Sequence, residues 1–160
     1  MMDGAKEQPE TERQAKILVA DDEELIRTLE EQVLTRLGHK ILQAGDGETA
    51  LAMAREELPD LILLDLLMPG LSGIEVCKRL RADHQTREIR IIVVTGMDSK
   101  VALEESIIAG ADDFLAKPID VLELGVRVRS MLRTHNIHDD QKWLEAYVKN
   151  LQQLRASRKR

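Results

Sequence analysis

Five side chains in this 160-residue sequence could do chemistry together: Asp21, Asp22, Asp65, Thr95 and Lys117. Each closes or follows a short apolar run: ILVA leads into Asp21-Asp22, LILL into Asp65, IIVV into Thr95 and FLA into Lys117-Pro118. Two carboxylates about 4 Å apart repel by roughly 4 kcal/mol at an effective dielectric near 20. Three of them gathered in one place must take up protons or hold a cation. An all-oxygen site with few protein ligands and room for water and phosphate suits Mg²⁺. Lys117 adds a positive charge that can pair with a carboxylate or a phosphoryl oxygen, and the Thr95 hydroxyl can rotate to donate to an incoming acceptor. An aspartate in such company is a nucleophile for phosphoryl transfer, giving an aspartyl phosphate.

Those residues converge only if the elements carrying them lie side by side. Candidate strands are Ile17–Ala20, Lys40–Ala44, Leu61–Asp65, Arg90–Thr95 and Asp112–Ala116. Between them run segments of helical spacing. Leu25, Leu29, Val33 and Leu37 recur every four residues before Gly38, which reads as a C-terminal stop. Ala50, Leu51, Ala54 and Leu58 form a second stripe ended by Pro59, Ile74, Cys77 and Leu80 a third, and Ala102, Ile107 and Ile108 a weaker fourth. Val121 to Leu132 makes the fifth. Strand then helix, five times over, predicts an α/β domain with a parallel sheet. The near-continuous apolar runs ILVA, LILLD and IIVVT suit strands covered on both faces, while KILQA and DDFLA suit edges. With strands 1, 3 and 4 in the middle and strand 2 beside strand 1, the order is 2-1-3-4-5, matched here to the known doubly wound, flavodoxin-like class with helices on both faces. In such a sheet ligands bind beyond the carboxyl ends of the strands where the order reverses, here between the first and third strands. Asp21, Asp22, Asp65, Thr95 and Lys117 all fall at that rim.

Composition narrows the class. The chain holds 43% apolar residues but only 2% aromatic ones, so Val, Ile, Leu and Ala must fill its core. A net charge of -6 gives the surface no electrostatic footprint for nucleic acid. One cysteine, Cys77, allows no internal disulfide and fits a reducing compartment. Apolar runs are too short to cross a bilayer, and the acidic N-terminus lacks the apolar core of a secretory signal. A cytoplasmic protein is expected. Residues 1–15 read as a disordered leader, 16–134 as the domain, and 135–160 as a helical tail. In that tail Ile137, Leu144 and Leu151 are spaced by seven, as are Tyr147 and Leu154. A short coiled-coil seam and a helix folded back on the domain fit this spacing equally. The basic end RASRKR reads as a solvated terminus.

The segments ILVADDEE, LILLDLLMPGLSG, IIVVTG and FLAKPID together resemble the receiver domains of two-component response regulators, typified by the chemotaxis regulator. The likeness covers about residues 16–134, with all five positions in the family's order. It implies that Asp65 accepts phosphate from a sensor histidine kinase. It further implies that Asp22 binds Mg²⁺ directly and Asp21 through water, with Asp65 and the backbone carbonyl of Leu67 completing the protein ligands. Thr95 and Lys117 would contact the phosphoryl group, Phe114 would swing inward with Thr95, and the Lys117–Pro118 bond would be cis. Output would pass through the face made by the fourth helix, fifth strand and fifth helix, through a homodimer made there or by the C-terminal helix, or through a downstream domain or protein. The stretch KPIDVLELGVRVRSMLRTHNIHDD resembles receivers placed ahead of cyclic-di-GMP synthesis or hydrolysis domains. Leu67 and Met97 are apolar where the family flanks the path of the attacking water, which implies slow self-dephosphorylation.

Two other functions compete. A Mg²⁺-dependent phosphohydrolase could use Asp65 as nucleophile, but Leu67 stands where many such enzymes carry a second aspartate. A docking module independent of phosphate would not need the acidic pair, Asp65, Thr95 and Lys117. The chain is therefore expected to act as a signalling phosphoacceptor, not as an enzyme turning over external substrates. Elsewhere, Asp21-Asp22 taken alone would be a helix cap, Phe114 would serve equally as core filler, Glu23 adds a further negative charge near the site or is only surface, and Cys77 reads as inert core. His39 and His84 are isolated, and His135 with His138 lacks companion ligands.

Overall fold

The computed structural model describes residues 14–96 and 100–134, together with 148, 149 and 152. Five parallel strands, β1 (Lys16–Ala20), β2 (Lys40–Ala44), β3 (Leu61–Leu64), β4 (Arg90–Thr95) and β5 (Asp113–Ala116), alternate with five helices. The helices are α1 (Glu24–Arg36), α2 (Gly47–Glu57), α3 (Gly73–Ala82), α4 (Lys100–Ala109) and α5 (Val121–Thr134). The sheet order is β2-β1-β3-β4-β5, as expected of the flavodoxin-like class. β1, β3 and β4 are buried nearly throughout, and the mixed strands β2 and β5 form the edges. Within this order β3 stops at Leu64 and β5 starts at Asp113, so Asp65 and Asp112 flank strands they were expected to close and open.

Alternation along each strand divides the core in two. Leu18, Ile62, Leu64, Ile91 and Val93 face a layer made by α2, α3 and α4; Ile17, Val19, Leu61, Leu63, Ile92 and Val94 face α1 and α5. Local chemistry starts the helices of the first layer. The Asp46 side chain accepts the Thr49 N–H at 2.7 Å to cap α2, and Ser72 Oγ accepts the Glu75 N–H at 3.2 Å to cap α3.

Three apolar stripes need correction. On α1, Leu25 is 84% exposed and Leu37 48%, while Glu30 and Leu34 are buried. A four-residue repeat drifts by about 40° per step against a helix of 3.6 residues per turn, so both ends of that stripe rotate off the packed face. On α2, Leu58 has left the helix: it takes a left-handed conformation (φ 44°) before Pro59 and is 52% exposed. On α4 the packed face is small, with Ala102, Ser106 and Ala109 buried, and Ile107 and Ile108 point to solvent. Ser106 is tolerated there because its hydroxyl donates to the Ala102 carbonyl at 2.7 Å.

Most of residues 135–160, including the heptad positions, His135 and His138, lies outside the described residues, as do residues 1–13 and Met97. Ala15 is buried, donating to His39 Nδ1 at 3.2 Å and accepting from the Lys40 N–H at 2.9 Å. No helix among the described residues is long and apolar enough to cross a membrane.

Candidate functional site

Strand register alone sets the neighbours at the rim. Ala20 lies between Ala44 and Leu64. One residue further on, the Asp21 N–H donates to the Ala44 carbonyl at 3.1 Å and the Asp65 N–H to the Ala20 carbonyl at 2.9 Å. Asp21 and Asp65 thus leave adjacent parallel strands at the same level. On the other side of β3, Thr95 ends β4 in register with Ala116, and its carbonyl accepts the Lys117 N–H at 3.0 Å.

Side chains close the arrangement. Carboxylate oxygens of Asp21, Asp22 and Asp65 lie within 4.8 Å of one another. Asp21 and Asp65 are buried and Asp22 is open to solvent. Lys117 Nζ stands 2.7 Å from Asp21 Oδ2, 3.0 Å from Asp65 Oδ2 and 3.8 Å from Glu23 Oε1. Glu23, whose negative charge was expected near the site, borders the same ammonium. The second oxygen of each buried carboxylate is held by backbone: the Glu23 N–H donates to Asp21 Oδ1 at 2.9 Å, and the Leu67 N–H to Asp65 Oδ1 at 3.2 Å. Such hydrogen bonds fix the direction of a carboxylate that would otherwise turn freely.

Electrostatics at the rim are tense. Burial pushes the Asp65 carboxyl above the ordinary aspartate range, although hydrogen bonds from Lys117 and the Leu67 N–H favour its charged form; Asp21 adds to the rise. Burial also works against the Lys117 charge, but hydrogen bonds to Asp21 and Asp65 outweigh it and hold the ammonium proton above the usual lysine range. Pairing favours the charged form of both partners, so the upward shift of Asp65 is a consequence of burial. Three carboxylates sharing one ammonium keep excess negative charge in a small volume. Oxygen ligands on two buried groups, with the third side open to water, fit a hard divalent cation with several of its waters retained.

The loop carrying Asp65 is packed backbone against backbone. A Cβ on Gly73 would stand 2.1 Å from the Asp65 carbonyl oxygen, so the start of α3 tolerates only glycine beside the rim. Leu67, two residues after Asp65, turns its side chain outward, 59% exposed. Phe114 pairs with Val93, is half-buried and packs against the core layer of α2, α3 and α4. The Lys117–Pro118 peptide bond is cis. Cys77 is buried, its thiol within 3.3 Å of the Ala109 carbonyl and pushed up to about 11 by burial. The His84 side chain is 82% exposed, and His39 is buried far along the sheet from the rim, against Ala15.

Two residues beside the rim were missed. Glu30, on the inner face of α1, is 1% exposed, and burial raises its pKa, with Asp21 and Asp65 adding to the rise and Lys117 opposing it. Arg27 donates from Nη1 to the Asp21 carbonyl at 2.6 Å. Both belong to the run EELIRTLEEQ, in which only the leucines, with Val33 beyond it, read as a packed stripe. The one available signal was spacing, since Glu30 lies midway between Ile26 and Leu34.

A family model described as the response regulator receiver domain matches residues 17–129. The Response regulator PleD of Caulobacter vibrioides is 44% identical over 132 residues, covering 82% of this chain and 29% of that protein. The alkaline phosphatase synthesis transcriptional regulatory protein PhoP of Bacillus subtilis is 44% identical over 122 residues, covering 76% of this chain and 50% of that protein. The chain thus spans half or less of the length of these relatives. Among solved structures, chemotaxis protein CheY4 of Vibrio cholerae matches with a TM-score of 0.71 at 30% identity, covering 74% of this chain and 99% of that one. A CheY-like receiver domain protein of Methanospirillum hungatei matches with a TM-score of 0.75 at 25% identity, over 79% and 100%.

Proposed function

The chain belongs to the response regulator receiver domain family, and from that premise we propose that Asp65 is its phosphoacceptor, charged by a sensor histidine kinase. The observation that carries this reading is the placement of Lys117 Nζ between Asp65 and Asp21 inside a cluster of three carboxylates. Phosphotransfer breaks the nitrogen–phosphorus bond of a phosphohistidine and forms an oxygen–phosphorus bond on an Asp65 carboxylate oxygen. Asp21, Asp22, Asp65 and the Leu67 backbone carbonyl would hold Mg²⁺. When bound, the ion neutralises charge on the transferring phosphoryl group. Lys117 keeps its proton and can pass from the carboxylate to a phosphoryl oxygen. Thr95, at the adjoining strand end, offers a hydroxyl donor to the same group.

The switch is a shift of population. Phosphate favours the state in which Thr95 and Phe114 are drawn inward, and this reshapes the surface of α4, β5 and α5. That surface carries Val101, Ile107 and Ile108 from α4 and Val121 and Leu122 from α5, each 49% to 84% exposed. Exposed apolar side chains on the two helices either side of edge strand β5 support output by homodimerisation there or by contact with a downstream domain. A hydrolase is disfavoured because Leu67 offers no acid or base two residues after Asp65. Labelling with acetyl phosphate and Mg²⁺, comparing the natural protein with Asp65→Asn, tests the assignment. Stoichiometric acid-stable labelling, lost in the variant, is expected. Continuous phosphate release from small substrates, or labelling that survives Asp65→Asn, would refute it.

A further inference from the structure

The turn that delivers Asp21 and Asp22 to the rim is held by more than its own backbone. β1 ends at Ala20, the chain reverses through Asp21, Asp22 and Glu23, and α1 begins at Glu24. Asp21 is tied on its amide side to β2, through the Ala44 carbonyl. On its carbonyl side it is tied to Arg27, from the first turn of α1, at 2.6 Å. Arg27 is itself fixed. Its Nε donates to Gln43 Oε1 at 3.3 Å, and the Gln43 amide donates in turn to Glu31. Nη1 lies over Gly45, where a Cβ would stand 3.3 Å away. The half-buried guanidinium therefore bridges α1, β2 and the acidic turn.

We propose that Arg27 is a positioning residue for the acidic pocket, clamping the Asp21 carbonyl so that the Asp21 and Asp22 carboxylates point at a divalent cation. The inference rests on the acidic pocket being the Mg²⁺ site. Charge and geometry make opposite demands on Arg27. A guanidinium beside the pocket repels a divalent cation, so removing its charge alone would tighten Mg²⁺ binding. Removing the clamp frees the turn, and the carboxylates must then be ordered when the ion binds, which weakens binding. Its short, charge-assisted bond to backbone, with two further anchors behind it, makes the clamp the larger effect.

The test is Mg²⁺ affinity measured directly by calorimetry on the unphosphorylated protein, for the natural sequence, Arg27→Met and Arg27→Lys. Arg27→Met should weaken Mg²⁺ about tenfold, the low end of what losing an outer hydrogen bond that orients a ligand residue costs a metal site. Arg27→Lys keeps one donor for the Asp21 carbonyl and should recover most of that loss. In the metal-free protein, Arg27→Met should also speed hydrogen exchange at the Glu23 amide, which is bonded to Asp21 Oδ1. Unchanged or tighter Mg²⁺ binding by Arg27→Met would overturn the proposal and leave the acidic pocket standing. Absence of Mg²⁺ binding by the natural protein would overturn both.

Discussion

Glu30 should make this domain lose stability as the pH rises through neutrality. Its carboxyl is 1% exposed, Oε2 has no hydrogen-bond partner, and burial, reinforced by the negative charge of Asp21, raises its pKa from 4.5 to about 8. Asp65 adds to the rise, and Lys117 opposes it. The folded chain thus binds the Glu30 proton more tightly than the unfolded chain. Stability from this group is fully present below pH 4.5 and is lost as the pH climbs through about 8. Across that window the slope is about 1.4 kcal/mol per pH unit, which comes to roughly 3 kcal/mol between pH 4.5 and 7. Glu30→Gln keeps the shape and removes the titration. Urea unfolding of both proteins from pH 5 to 9 isolates the effect, because every other titrating group largely cancels in the difference. The variant's advantage should grow by about 1.4 kcal/mol per unit up to pH 8 and then level off. Parallel stability curves would refute the reasoning, showing that Glu30 is solvated or paired when charged.

Other expectations follow from the same geometry. Leu67 cannot orient an attacking water, so the phosphorylated protein should lose phosphate slowly; Leu67→Asn should speed that loss about tenfold or more, read by phosphate release from purified phosphoprotein. Arg81 donates to the carbonyls of Gly110, Arg87 and Ile89 and to Asp112, tying α3 to the loops before β4 and β5. Arg81→Ala should cost about 2–3 kcal/mol in urea unfolding and leave stoichiometric labelling of Asp65 intact. The Cys77 thiol, buried and pushed up to about 11, should resist a disulfide reagent at pH 8 in the folded protein and react at once in urea.

Strand identity, and the central or edge place of each strand, were legible because composition reports how many faces are covered; the order itself came from the known fold class. LILL and IIVV have no polar alternation, and both occupy the middle of the sheet. The rim residues were legible for a related reason: a charged side chain directly after a fully apolar strand has little choice but to stand at the sheet's carboxyl edge. Helix faces were harder to read. On α4, Ala102, Ser106 and Ala109 pack while the larger Ile107 and Ile108 stay outside. Ranking residues by hydrophobicity inverts that face, since close approach to α3 selects for small volume. The exposed isoleucines then become the informative residues, because an apolar face turned to solvent asks for a partner.

Glu30 and Arg27 were illegible for a deeper reason, which bears on how the pocket works. Sequence patterns place polar and charged residues on α1 outside, and for Glu24, Thr28 and Gln32 that is where they are. An ionisable residue on the inside must either find a hydrogen-bond partner or give up its charge. What Glu30 and Arg27 face is the back of the Asp21 turn, assembled from β1, β2, β3 and the loop after β5, whose parts are up to 96 residues apart in sequence, from Asp21 to Lys117. No local window contains that information. Glu30 held as a neutral acid adds no charge to three crowded carboxylates, while Arg27 spends its own charge on a backbone carbonyl instead of on a carboxylate. Lys117 is thereby left as the cation in contact with Asp21 and Asp65, and a single ammonium cannot neutralise the cluster. The pocket stays short of positive charge by construction, a shortage that a divalent cation would relieve before an anionic phosphoryl group could be accepted beside the carboxylates.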